Sequence, residues 1–216
     1  MWLQLIYLAC LLTCCAFAFV YYKSLRSRQL SFFPFYLLIV FVQELLAFLL
    51  VKQDPSYSTG FIYNMYNPIN TLFYAIFYYR IPFNLPVRKL IGLLIIVFIP
   101  LTLATFFFFK SIYAYNSYLS LASGFLITLC GILFLFNYFK LDNHSEEKKW
   151  LPVIWITIGL VAFYPVVNIS FALHKNLLAY QATIFGMKLY RLIPQLMSIF
   201  MYVCFIRAFY LCSRQE

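Results

Sequence analysis

Gly186-Met187-Lys188-Leu189-Tyr190-Arg191-Leu192-Ile193-Pro194-Gln195 is the stretch on which the reading of this chain turns. It lies inside an apolar segment that runs from about residue 180 to 206. Read as one helix, that segment can cross a bilayer, whose hydrocarbon needs about 20 residues at about 1.5 Å each. The helix then carries two cations, Lys188 and Arg191, one turn apart, followed by a proline and an amide. A charge at the centre of a bilayer costs roughly 3 kcal/mol on insertion scales. Such a pair calls for a partner, a water-filled cavity or an anionic ligand.

The rest of the chain has the same character. Of its 216 residues 65% are hydrophobic and only 10% charged, against about 45–50% and about 25% in soluble domains. Mean hydropathy is +0.87. The chain reads as one membrane domain over residues 1–216, with the lipid bilayer as its first partner. No length is left for a soluble catalytic, kinase or nucleic-acid-binding module. The net charge of +10 does not point to nucleic acid, because the cations fall in short loops between apolar runs and set topology.

Seven segments are long enough to span, so the expected fold is all-α, a polytopic bundle of seven transmembrane helices. They cover about 3–22, 32–51, 61–79, 90–109, 113–139, 150–173 and 180–206. Pro34 falls in the first turn of the second, where proline is tolerated. Pro82 and Pro86 stop the third after Arg80. Lys110 and Ser111 form a tight turn. Asn143 with Glu146 three residues later resembles a capping pair, so the sixth helix begins before the membrane and enters it at Trp150. The seventh is longer than a straight crossing requires and must tilt, kink at Pro194 or project.

Loops after the first, third and fifth helices, with the C-terminal tail, hold eleven Lys and Arg, whereas the opposite loops hold Lys52, Lys110 and Lys175. The positive-inside rule places the N-terminus outside and the C-terminus in the cytoplasm of a multi-pass protein of the inner (plasma) membrane.

Polar residues inside the spans gather at one depth. Gln43 and Glu44 lie near the outer end of the second helix, and Asn64, Asn67 and Asn70 recur every three residues in the outer half of the third. Tyr115, Asn116 and Ser120 follow in the fifth, Tyr164, Asn168 and Ser170 in the sixth, and Gln181, Lys188, Arg191 and Gln195 in the seventh. A lone asparagine reads as helix glue worth about 1 kcal/mol or less. The set containing Glu44, Lys188 and Arg191 reads as a site. The expected ligand-binding residues are Glu44, Asn64, Asn67, Asn70, Asn168, Lys188, Arg191 and Gln195, around an outward-facing cavity between the second, third, sixth and seventh helices. Glu44 is the only carboxylate within a span. Paired with Arg191, which binds carboxylates bidentately, it leaves Lys188 free for a small anionic ligand.

Enzyme chemistry is not expected. His144 and His174 both lie in loops, as do Asp54 and Asp142. No zinc-protease, nucleophile-elbow or phosphate-loop motif is present. The six cysteines lack metal-ligand spacing and read as small buried hydrophobes. No metal or cofactor is implied. A retinal Schiff base at Lys188 is disfavoured by Arg191 one turn away and by the lack of an acidic counter-ion on the third helix.

Gln43-Glu44-Leu45-Leu46, the run from Asn64 to Arg80, Arg88-Lys89-Leu90-Ile91 and Trp155-Ile156-Thr157-Ile158-Gly159 together resemble seven-helix integral membrane proteins of Bacteroidota type. Some of these look like stand-alone versions of sensor modules linked to histidine kinases. The resemblance implies signalling through a kinase or another membrane partner. The expected function is a non-enzymatic, receptor-like sensor of a small polar or anionic ligand. The alternatives are a small-molecule transporter with 3+1+3 helix repeats, from the echo of Asn64-Met65-Tyr66-Asn67-Pro68 before Pro194, and an accessory subunit of a larger complex.

Overall fold

The computed structural model describes residues 2–28, 30–54, 57–81, 85–108, 113, 115–140, 144–173, 183–184 and 187–214, with the side chains of 144–148, 184 and 187 excepted. The helices are α1 (Trp2–Val20), α2 (Tyr22–Ser27), α3 (Phe33–Gln53), α4 (Gly60–Arg80), α5 (Leu85–Phe108), α6 (Ser117–Tyr138), α7 (His144–Ala172) and α8 (Leu189–Arg214). Two two-residue strands, β1 (Thr183–Ile184) and β2 (Met187–Lys188), pair antiparallel before α8. The protein is therefore overwhelmingly helical. Among the described residues, six helices are long and apolar enough to cross a membrane: α1, α3, α5, α6, α7 from Lys149, and α8. Helix α4 has the length, but three asparagines and several tyrosines keep it out of that group.

Several boundaries differ from the sequence reading. Helix α5 starts at Leu85, not near residue 90, because Pro86 falls in its first turn, where the missing N–H costs nothing. Helix α6 starts at Ser117, not 113, because Asn116 is its N-cap, its side chain accepting from the Leu119 N–H at 3.1 Å. The expected 180–206 helix starts only at Leu189 and runs on to Arg214. Lys188 is thus in a strand, not on the helix of Arg191. The register pairs Thr183 with Lys188 and Ile184 with Met187. The expected Lys110–Ser111 turn, the Asn143 cap, His174 with Lys175, and Gln181 lie outside the described residues.

The chain forms two compact units, Met1–Phe48 with Leu141–Glu216, and Leu49–Lys140. In the first, α8 packs along α7 and α1, and α2 also touches it. Leu11, Cys14 and Ala18 of α1 are buried at helical spacing, as are Met201, Cys204, Phe205, Ala208, Phe209 and Cys212 of α8. Phe33 seats its ring against Phe205 and Phe209 at 6.0 and 6.1 Å. At Gly159 of α7 the backbones come close: a Cβ there would stand 3.1 Å from Cys204 Cβ and 3.3 Å from Met201 Cα and O. A small residue at the crossing lets two helices approach closely without a hydrophobic force between them. Arg28 Nη1 donates to the Lys149 carbonyl at 3.3 Å, joining the end of α2 to α7.

In the second unit α4 packs against α6 and α5, and α5 against α6. Helix α5 buries only Ile91, Phe98 and Thr102, a single line seven and four residues apart. Helix α4 is reversed relative to a soluble surface helix. Its buried line holds Asn64, Asn70 and Thr71 before Tyr74 and Tyr78, while Phe61, Met65, Ile69 and Ile76 are exposed.

Candidate functional site

The polar start of α4 gains its partners from the chain that enters α6. Asn64, 3% exposed, accepts at Oδ1 from the backbone N–H of Asn116 at 2.9 Å. Asn116 in turn caps α6. Ser58 donates to the Tyr113 carbonyl at 2.9 Å, and Phe61 lies 5.8 Å from the Tyr113 ring. The Tyr63 and Tyr115 rings meet edge to face at 6.5 Å. One buried amide and one capping amide thus fix where α6 begins against α4.

Tyr115 has a partly exposed ring whose hydroxyl is set among Ser120 and Asn67. Burial pushes its phenol above the ordinary value of 10.0, while hydrogen bonding from Ser120 and Asn67 works in the opposite direction. The Asn67 Nδ2 is buried and meets no acceptor at full hydrogen-bond geometry. An orphaned donor of this kind costs about 1–3 kcal/mol unless something fills it. Pro68 cannot donate to the Asn64 carbonyl one turn back, so that oxygen loses its intrahelical bond. Within this unit the Asn67 donor on α4 lies near the Tyr115 phenol. The donor can receive an acceptor oxygen of a small ligand.

Asn70 is buried on α4 in the same unit, whereas Glu44, Asn168, Lys188, Arg191 and Gln195 belong to the first unit. Glu44 is half-buried on α3, next to Gln43, both of whose amide atoms are buried without a partner. Asn168 on α7 and Gln195 on α8 are half-buried. Lys188 and Arg191 are exposed, and the Arg191 guanidinium stands 5.7 Å from the Tyr190 ring centroid. Among the described residues Arg191 makes no ion pair with Glu44. An exposed guanidinium at the start of its helix keeps its water. Ser198 donates to the Pro194 carbonyl at 2.8 Å.

The structure therefore brings together Asn64, Asn67, Tyr115, Asn116 and Ser120, all placed in one layer from the sequence. It does not join Glu44 to Arg191. The capping role of Asn116 was missed, although Asn116-Ser117 ahead of an apolar run is a helix-start signal. All six cysteines are free thiols. Among the described residues no three His, Cys, Asp or Glu side chains gather as metal ligands.

No protein-family model matches this chain, and no curated protein or solved structure is significantly similar to it. Its class rests on its own physics: six long apolar helices with apolar outer faces define a multi-pass helical membrane protein.

Proposed function

We propose that this is a non-enzymatic, receptor-like protein of the inner membrane that binds a small polar or anionic ligand at the polar start of α4. The observation that carries the reading is the buried Asn67 Nδ2 near Tyr115, which meets no acceptor at full hydrogen-bond geometry. A donor held dry without a partner has a use when a ligand oxygen fills it. In the proposal α4 is a seventh span. Its exposed line of Phe61, Met65, Ile69 and Ile76 suits lipid, and its asparagines turn inward as intramembrane polar groups do. With the basic-residue bias, seven spans put the N-terminus and the start of α4 outside. Lys188 and Arg191, exposed near the start of α8, would then add positive potential on the outer surface. Output would pass to a kinase or another membrane partner.

The test is native mass spectrometry of the full chain purified in mild detergent, comparing the parent with Asn67→Leu. A small ligand should be retained by the parent and lost from the variant, with thermal stability kept because the orphaned donor is gone. Equal ligand retention by both proteins would remove the site from α4.

A further inference from the structure

Helix α8 carries one uninterrupted exposed face. Leu196, Phe200 and Val203 are 47%, 44% and 53% exposed. Arg207 and Arg214 continue the line and are exposed too. The steps of four, three, four and seven residues keep all five on one side of a helix. The opposite side, with Met201, Cys204, Phe205, Ala208 and Cys212, is buried.

The two arginines share an anchor. Tyr210 lies between them on the same face, with the Arg207 guanidinium 5.7 Å and the Arg214 guanidinium 4.8 Å from its ring centroid. Both cations are therefore held near one aromatic ring. Among the described residues neither has a carboxylate partner. Guanidinium groups take phosphate oxygens in a planar, bidentate way.

Depth follows from helical rise. Arg207 lies about 27 Å along the axis from Leu189, and Arg214 about 38 Å, at about 1.5 Å per residue. The hydrocarbon is about 30 Å thick. With Leu189 at one boundary, Arg207 reaches the other and Arg214 stands about 10 Å beyond it, at headgroup level. Tyr210 falls in the interfacial zone that tyrosine favours. The face is apolar at the height of acyl chains and doubly cationic at the height of phosphates.

We infer that this face of α8 is a docking site for an anionic glycerophospholipid, with its phosphate between Arg207 and Arg214 and its acyl chain along Val203, Phe200 and Leu196. Charge complementarity and the matching order of apolar and cationic residues select this occupant over a protein helix, for which a row of unpaired arginines would be a poor neighbour.

The full chain is purified with phosphatidylglycerol and phosphatidylcholine of identical acyl chains, and retained lipid is counted by native mass spectrometry. The parent should hold phosphatidylglycerol preferentially. Replacing Arg207→Gln and Arg214→Gln together should lower that preference by about fivefold for each arginine, with phosphatidylcholine unchanged. Lysine at both positions should retain most of it. An undiminished preference in the glutamine pair, a parallel loss of both lipids, or displacement by inorganic phosphate at constant ionic strength would overturn the assignment. If the glutamine pair does not fold, the parent decides: its preference must fall as salt is raised, and persistence at high salt refutes the site.

Discussion

Gly159 offers a quantitative test of the α7–α8 crossing. A Cβ at this position would lie 3.1 Å from Cys204 Cβ and 3.3 Å from two backbone atoms of Met201. Favourable carbon contacts fall at about 3.5–4.0 Å, so the neighbours must retreat by several tenths of an ångström. Two of those three neighbours are backbone and cannot rotate away. Overpacking costs about 1–3 kcal/mol, and replacing a helical glycine by alanine returns about 1 kcal/mol of propensity. Gly159→Ala should therefore destabilise by about 1 kcal/mol. Gly159→Leu, whose branched side chain must part the helices, should exceed about 3 kcal/mol. Thermal unfolding in detergent, followed by helical circular dichroism, measures both. Second-site changes sharpen the test. Cys204→Ala should not rescue Gly159→Ala, because alanine keeps the offending Cβ, whereas Cys204→Gly should recover part of the loss. A Gly159→Leu protein as stable as the parent would mean that the two backbones do not approach as described.

Other expected outcomes follow from the remaining contacts. Asn116→Ala should lose the α6 cap and about 1 kcal/mol, and Asn64→Leu should strand the Asn116 N–H at about 1–3 kcal/mol. Because Asn116→Ala keeps that N–H, Asn64→Leu should remain costly in the Asn116→Ala background, and an Asn64→Leu protein as stable as the parent would show that the bond is not made. The raised Tyr115 phenol favours the neutral form in the folded protein, so its contribution is full below 10 and is lost as pH climbs through the higher folded value. The parent's melting temperature should thus fall more than that of Tyr115→Phe between about pH 8 and about pH 11, and parallel curves would contradict the burial of that hydroxyl. A reporter active only in the cytoplasm should work after Glu216 and fail before Met1, while activity at both ends would mean an even number of spans and would remove α4 from the membrane.

The class of the protein was legible because apolar runs of about 20 residues have one economical reading. The layer formed by Asn64, Asn67, Tyr115, Asn116 and Ser120 was legible as well, since depth along a helix follows from counting residues. The strand pairing before α8 was not. Lys188 and Arg191 are three residues apart on any helical count, and only the strand pairing of Met187 and Lys188 with Thr183 and Ile184 separates them. A glycine in an otherwise helical pattern lowers confidence in it without naming the alternative. Which partner Glu44 takes was not legible either, because a shared depth does not fix which way two side chains point. The Arg207, Tyr210 and Arg214 face was passed over because cations in a tail were read only as markers of orientation.

The reversed polarity of α4 has a consequence for biosynthesis. This helix does not reach the apolarity of the other long helices, and its polar line is satisfied from chain synthesised later, as the bond from Asn116 to Asn64 shows. When Arg80 leaves the ribosome, neither α5 nor α6 has emerged to cover the asparagines. A nascent chain halted before residue 116 lacks the donor that Asn64 accepts from and the helix against which α4 packs. The segment should therefore be held loosely at the insertion machinery until α6 has emerged, and α4, α5 and α6 should enter their final arrangement as one late, concerted step.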